Sequence, residues 1–422
     1  MAQVNNVHNG GAAAAPGTRL VIVRVFLPFA LGYFLSYLYR TVNAVIGPNL
    51  VDDMGFDAGA LGLMTSAYFI AFAAAQLPLG FFLDSRGPRR AEAVLLIVAA
   101  AGAFVFSVGD GLGSLVLGRA MIGLGVAACL MAAFKAMSEW FPAEKLPMAN
   151  GFIMASGGLG AIMATAPTEA LVAAVGWRYG FVALGIATLA AALILWTVVP
   201  EPARETGGES VAERIGDLRQ VYSNLAFWRV APITALSQGT FLAVQTLWAG
   251  PWLRDVAGLD SAAVSYTLLF AAVGFVIGNI VIGTATVRLS RRGVPPIVVT
   301  GVGMALFMLV QLAVIGEWIA APTVLWFIFG MAGTIGVLSF SVLAQEFPSQ
   351  LIGRASTGMN LMIFATAFAL QWGMGEVISL WPTAADGGYA GPGYQTAFAI
   401  ALILQAIALA WMVVARRFKQ AM

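Results

Sequence analysis

Few side chains in this chain can do chemistry, and the one that stands out is an arginine. Residues 33–53 read YFLSYLYRTVNAVIGPNLVDD, an aromatic and apolar run interrupted by Arg40. Steps of three and four residues return to one side of a helix, so Tyr33, Ser36, Tyr37, Arg40 and Asn43 fall on neighbouring faces. A guanidinium fork matches a carboxylate or phosphate, and tyrosine hydroxyls add donors. The stripe predicts an anion site. Two plainer roles compete: Arg40 snorkels toward the surface, or it pairs with Asp52 or Asp53. Asp53 lies thirteen residues on, about 20 Å along a helix, so pairing needs the loop to fold back.

The remaining chemical inventory is thin. The sole histidine, His8, sits in a polar leader, which excludes a histidine metal site or triad. The sole cysteine, Cys129, lies in an apolar stretch and allows no disulfide framework. No catalytic cluster appears, so the chain reads as a non-enzyme with no metal or cofactor beyond a coupling proton. Composition explains the scarcity. Hydrophobic residues make up 60% and charged residues 10%, against about 25% charge in soluble domains. Mean hydropathy is +0.87.

Apolar runs long enough to cross a bilayer recur twelve times. They predict helices over 21–48, 59–83, 91–108, 112–138, 150–172 and 177–199, then 226–253, 262–287, 295–316, 321–344, 356–380 and 394–415. The third is short and should extend toward Arg89. Unbroken runs rather than ten-residue alternation argue against a β-barrel. With the N-terminus inside, eighteen of the 22 basic residues fall on the inner side, and Arg40, Arg119, Arg178 and Arg254 do not. By the positive-inside rule both termini are cytoplasmic. The net charge of +2 then reflects topology and not nucleic-acid binding. The division is a cytoplasmic tail over 1–20, a bundle over 21–199, a central loop over 200–225 with a short surface helix over 211–222, a bundle over 226–415 and a tail over 416–422. The opening residues lack the basic region of a cleaved signal peptide.

The halves repeat. GPNLVDDMG at 47–55 parallels GPWLRDVAG at 250–258, an offset of 203, and EWFPAEKLPMANG at 139–151 parallels QEFPSQLIGRAST at 345–357, an offset of 206. Both pairs sit at equivalent span ends. Two six-helix halves in the same order imply a pseudo-twofold along the membrane normal, with substrate near the midplane.

The loop GFFLDSRGPRR at 80–90 resembles the signature G-x-x-x-D-R-x-G-R-R of the major facilitator superfamily. Gly80, Asp84, Gly87, Arg89 and Arg90 match, while Ser85 replaces the first arginine and Pro88 also departs. GRAMIGLG at the start of span 4 and GWRYGF at 176–181 are similar to further patterns of that superfamily. The resemblance implies an all-α integral membrane protein, with twelve transmembrane helices in two pseudo-symmetric six-helix bundles. It also implies that Asp84 latches the outward-facing state. Asp84 sits at a helix C-terminus, where the dipole disfavours an acid, so it should pair with a base or a neighbouring helix's N-terminus. The second copy of the loop, GTATVRLSRRG at 283–293, has no acid.

The start of the chain is also similar to the anion:cation symporter branch, in which arginines of spans 1 and 4 serve anionic substrates. Arg40 and Arg119 would carry those roles. That branch places a coupling glutamate seven residues after the span-4 arginine. Here the position is Val126, which removes the usual route for proton symport.

The remaining candidates for a substrate cavity are Gln238, Gln245 and Trp248 in span 7, which holds a Gly-Pro break, and Asn360 and Gln371 in span 11. Lys135 and Glu139, four residues apart, read as a local ion pair or gate at the cytoplasmic end. Glu169 and Glu376 read as interfacial, and no carboxylate reads as central. The expected function is secondary transport of a small organic anion, carboxylate-like, by alternating access across a bacterial inner membrane. The partners would be the substrate and membrane lipids, and the state a monomer. The competing expectation is an efflux antiporter for a metabolite, drug or other amphipathic compound. A sensor or scaffold lacks an output domain here.

Overall fold

The computed structural model describes residues 18–201, 219–384 and 387–420. The first 17 residues and most of the central loop, with the start of its expected surface helix, lie outside them. Residues 219–222 are helical. Among the described residues there is no strand.

Eleven helices are long and apolar enough to cross a membrane. In the first half these are span 1 (Arg19–Thr41), span 2 (Ala58–Gln76), span 3 (Pro78–Ser107), span 4 (Leu112–Trp140), span 5 (Leu146–Met163) and span 6 (Ala166–Val198). In the second half they are span 8 (Ser261–Arg291), span 9 (Pro296–Ile315), span 10 (Pro322–Glu346), span 11 (Gln350–Ile378) and span 12 (Gly391–Ala415). Span 7 is the twelfth and the most polar. It runs through Leu225–Ala243, a π-helical turn Val244–Trp248 and Ala249–Asp255. Its polarity comes from residues turned inward: Thr234, Ser237, Thr240 and Thr246 are all buried.

Breaks in the helices have identifiable causes. Spans 2 and 3 run on without a loop except at Gly87, whose φ of 78° is open to glycine. Pro88 then restarts the helix where its missing N–H costs nothing. The third span therefore begins ahead of 91, as its shortness predicts. Gly176, at φ 81°, turns the chain in the same way before Trp177. In span 1 the helix pauses at Val42 and resumes as Asn43–Met54 around Pro48.

The repeat seen in sequence is also a repeat of packing. Gly123 of span 4 lies against the Tyr68 carbonyl of span 2, and Gly330 of span 10 lies against the Ala271 carbonyl of span 8. Neither site has room for a side chain. Across the halves, span 2 packs on span 11 and span 5 on span 8, two contacts that a twofold exchanges. The face carrying Gly87 is called the basic face below.

Candidate substrate site

Between the halves lies a cavity of about 330 Å³, within the range of small-molecule sites. Span 1 supplies Tyr33, Ser36, Tyr37 and Arg40. Span 7 supplies Gln245, and span 11 supplies Asn360. Phe72, Phe275 and Phe364 add aromatic walls. Among the described lining residues Arg40 is the single charged one.

Arg40 is only 6% exposed, so it does not snorkel outward. Asp53, its proposed partner, instead accepts from Trp177 Nε1 at 2.6 Å. Among the described residues, only Nε of Arg40's nitrogens is bonded, to the Tyr68 hydroxyl at 3.4 Å. Its guanidinium lies 4.5 Å from the Tyr37 ring, 5.2 Å from Phe72 and 5.3 Å from Phe364. Ring faces hold a cation without neutralising it. Among the described residues no carboxylate is within ion-pair distance.

The neighbouring tyrosines are placed by span 5. A Cβ on Gly157 would stand 2.5 Å from the Tyr33 ring and 2.8 Å from the Tyr37 ring. Glycine there lets both rings enter the cavity. Sequence reading missed Gly157, and its only signal is the small-residue run SGGLG at 156–160. Gln76 was missed too, although a glutamine within an apolar span was visible. Gln76, Gln245 and Asn360 line the cavity with no hydrogen bond to protein among the described residues.

Four expected cavity residues are elsewhere. Arg119 is buried off the cavity, donating through one terminal nitrogen to the Tyr39 carbonyl at 2.9 Å, with its guanidinium 5.2 Å from the Tyr68 ring. Asn43 donates to the Thr65 hydroxyl at 2.9 Å. Trp248 donates to the Gln371 carbonyl at 3.0 Å, and the Gln371 amide donates to Thr246 at 3.0 Å. Each is a link between helices. The helical period put Asn43 near Arg40, and residue type and span suggested the other three, but packing turns all four to partners on neighbouring helices.

On the basic face Asp84 finds its base, and the base is Lys135, at 2.5 Å. Lys135 also donates to the Leu83 carbonyl. The expected Lys135–Glu139 pair is therefore corrected: span 4 turns the ammonium toward Leu83 and Asp84 and not along its own helix. Arg90 pairs with Glu201 at 2.8 Å, and Arg89 donates to the Trp196 carbonyl. The signature loop is thus tied to the end of span 6, a contact that sequence spacing did not show.

The opposite face is closed across the halves. Gly59 N–H donates to Ser379 Oγ at 2.9 Å, and Tyr389 donates to the Phe56 carbonyl at 3.3 Å. The two Gly-Pro breaks meet here. Gly250 lies directly against the Ala44 carbonyl, and Gly47 faces Leu247. Pro48 cannot donate back to that same Ala44 carbonyl, and Pro251 leaves Leu247 without its helical donor. Asp255 accepts from the Tyr389 N–H at 3.0 Å and the Tyr394 hydroxyl at 2.6 Å. Burial pushes the Tyr389 phenol up from its usual value. It therefore remains a protonated donor through neutral pH and past the ~10 of a free phenol.

One expectation fails at span 3. No carboxylate reads as central in the sequence, yet Glu92, which that reading passed over, is fully buried. A central carboxylate exists after all.

Residues 29–375 match the sequence profile of the Major Facilitator Superfamily. The chain belongs to that superfamily, and it is a multi-pass membrane protein. It is 25% identical over 293 residues to a probable sulfoacetate transporter of Cupriavidus necator, covering 65% of this chain and 66% of that one. It is 23% identical over 273 residues to a hexuronate transporter of Escherichia coli, covering 59% and 62%. In both cases the match spans less than two thirds of the relative's own length. Among solved structures, a bacterial homologue of the human lysosomal transporter Spinster, inward-facing and unoccupied, superposes with a TM-score of 0.77 at 19% identity, covering 95% of this chain and 98% of that one. That likeness concerns the fold.

Proposed function

We propose that this protein is a secondary transporter of small organic anions that works by alternating access. The observation that carries the reading is the cavity's charge: Arg40 is its single charged lining residue, and no carboxylate partner sits within reach among the described residues. A buried cation without a counter-ion is costly, and an anionic substrate supplies one. Tyr33, Tyr37, Gln245 and Asn360 would replace the water lost by the anion. The relatives named above, printed as transporters of a sulfoacetate and of hexuronates, support the same class.

The bundles over 21–199 and 226–415 rock about the cavity as monomeric units within the lipid, with both termini in the cytoplasm. The basic face is the cytoplasmic one, and the closed face looks outward. The described arrangement is then inward-facing, with Asp84 held by Lys135 of its own half. Contact of the signature loop with the other half belongs to the opposite state.

A thermal-shift panel on purified protein tests the substrate class. Sugar acids and sulfonates should raise Tm, and removing their charge should abolish the effect. Stabilisation by neutral sugars or cations alone would overturn the reading.

A further inference from the structure

Glu92 sits where spans 1, 3 and 4 meet, behind the cavity wall. It is fully buried, and among the described residues neither carboxyl oxygen has a hydrogen-bond partner. A Cβ on Gly32 of span 1 would lie 3.1 Å from the Glu92 carboxyl carbon, so glycine makes the space. Cys129 of span 4, also fully buried, is its polar neighbour. A carboxyl placed like this is expensive for packing, and leucine or glutamine would fill the space at lower cost. The neutral acid is the form these surroundings accommodate.

The other charged groups nearby are engaged or distant. On span 3's own end, Arg89 and Arg90 are turned to the Trp196 carbonyl and Glu201. On span 4, Lys135 is held by Asp84. On span 1, Arg24 and Arg40 each stand eight residues from Gly32; Arg24 is exposed, and Arg40 lines the cavity. Gly32, Ser36 and Arg40 are spaced by four, so they share one helix face. Arg40 is two turns from Gly32, about 12 Å along the axis. Ser36 Oγ donates to the Val126 carbonyl at 3.4 Å, at the pause in span 4 before Cys129. Val126, Ala127 and Leu130 line the cavity, so one helix wall separates Glu92 from the substrate space.

We propose that Glu92 is the proton-binding site of the transport cycle, linked to the anion site by the span-1 face that carries Gly32, Ser36 and Arg40. The proposal rests on the anion-transport reading. With Glu92 neutral, the charge of Arg40 is uncompensated and attracts an anion. With Glu92 ionised, its negative charge offsets Arg40 and the anion leaves. Proton and anion therefore bind together, and by linkage each strengthens the other. One proton adds to a carboxyl oxygen on the side of higher proton concentration and returns to water on the other. No electrons move. The acid thus stands in for the glutamate absent at Val126.

The test uses full-length protein and two probes, sulfoacetate and galacturonate. In the wild type, binding affinity should fall as pH rises, by at most about tenfold per unit for a single linked proton. In Glu92→Gln the affinity should be flat with pH, and uptake driven by a pH gradient into proteoliposomes should drop at least tenfold. A merely structural role would lower Tm and leave the pH profile sloped. Accumulation by Glu92→Gln equal to wild type would overturn the proposal. If Glu92→Gln does not fold, Glu92→Asp should shift the pH profile, and an unshifted profile would overturn it equally. If the wild type binds neither probe, the anion reading fails. Infrared spectroscopy of the free protein then decides the proton site: a protonated-carboxyl band that titrates and is lost in Glu92→Gln or moved in Glu92→Asp upholds it, and no such band refutes it.

Discussion

Arg40 and Arg119 are both buried arginines in the first half, and both invite reading as anion ligands. Their surroundings separate them. Arg40 opens onto the cavity, bound among the described residues only through Nε to Tyr68 and framed by rings. Arg119 is 1% exposed and spends a terminal nitrogen on the Tyr39 carbonyl. Tyr68 stands between them, accepting from one and offering its ring to the other. The second half has nothing comparable. At the offset of the repeat, Arg40 corresponds to Ala243 and Tyr68 to Ala271. At the offset that aligns Gly123 with Gly330, Arg119 corresponds to Trp326. Among the described residues, a symmetric scaffold carries its buried arginines in one half only. The lesson is that intramembrane charge marks function only after its hydrogen bonds are assigned: one arginine is available to a ligand, and the other supports the first through shared packing.

The sharpest test of that difference is Arg40→Ala. It should lower uptake at least about 100-fold, the ~3 kcal/mol scale of losing one partner of a buried charged contact, while the protein still elutes as a folded species. Arg40→Lys should also be poor, because a point charge lacks the fork. Arg119→Ala should act on stability, costing about 2–4 kcal/mol as a large buried truncation. Its substrate Kd, measured on the folded fraction, should stay within about threefold. A wild-type Tm with lost binding would erase the distinction. Gly157→Ala pushes a methyl against Tyr33 and Tyr37, and overpacking of about 1–3 kcal/mol should weaken substrate binding about tenfold with little change in expression.

Smaller effects probe the two faces of the cavity. Tyr389→Phe removes one bond to the Phe56 carbonyl, worth about 1 kcal/mol. It should raise the labelling rate of a cysteine placed on the closed face several-fold. Because burial holds that phenol above its ordinary value, wild-type labelling, normalised for the labelled thiol's own ionisation, should show no step up to about pH 10. Asp84→Asn breaks a pair whose side chains are 31% and 40% exposed, so its cost should be at most about 1 kcal/mol. Denaturation midpoints check this, and the difference should shrink in high salt.

Much of the fold was legible because lipid leaves the chain few options. Every backbone group must be satisfied within a helix, so apolar length predicts spans directly. The site was legible in part. Arg40, Tyr33 and Tyr37 share a helix face and line one cavity, as their spacing predicts. Asn43 shares the period but meets Thr65. Spacing gives the face of a helix and not which helix lies against it.

Sequence alone determined the superfamily resemblance, the twelve spans, the internal repeat, the charge asymmetry between faces and the singularity of Arg40. These are properties of composition, period and local motif. Tertiary structure decided which polar residues face the cavity and which tie helices together. It turned Lys135 from Glu139 to Asp84, set Gly157 behind the tyrosines and buried Glu92, a carboxylate among spans where none read as central. The physical reason is common to all of these. A side chain's partners across a bundle are tens to hundreds of residues away in sequence, and only packing brings them within hydrogen-bond distance.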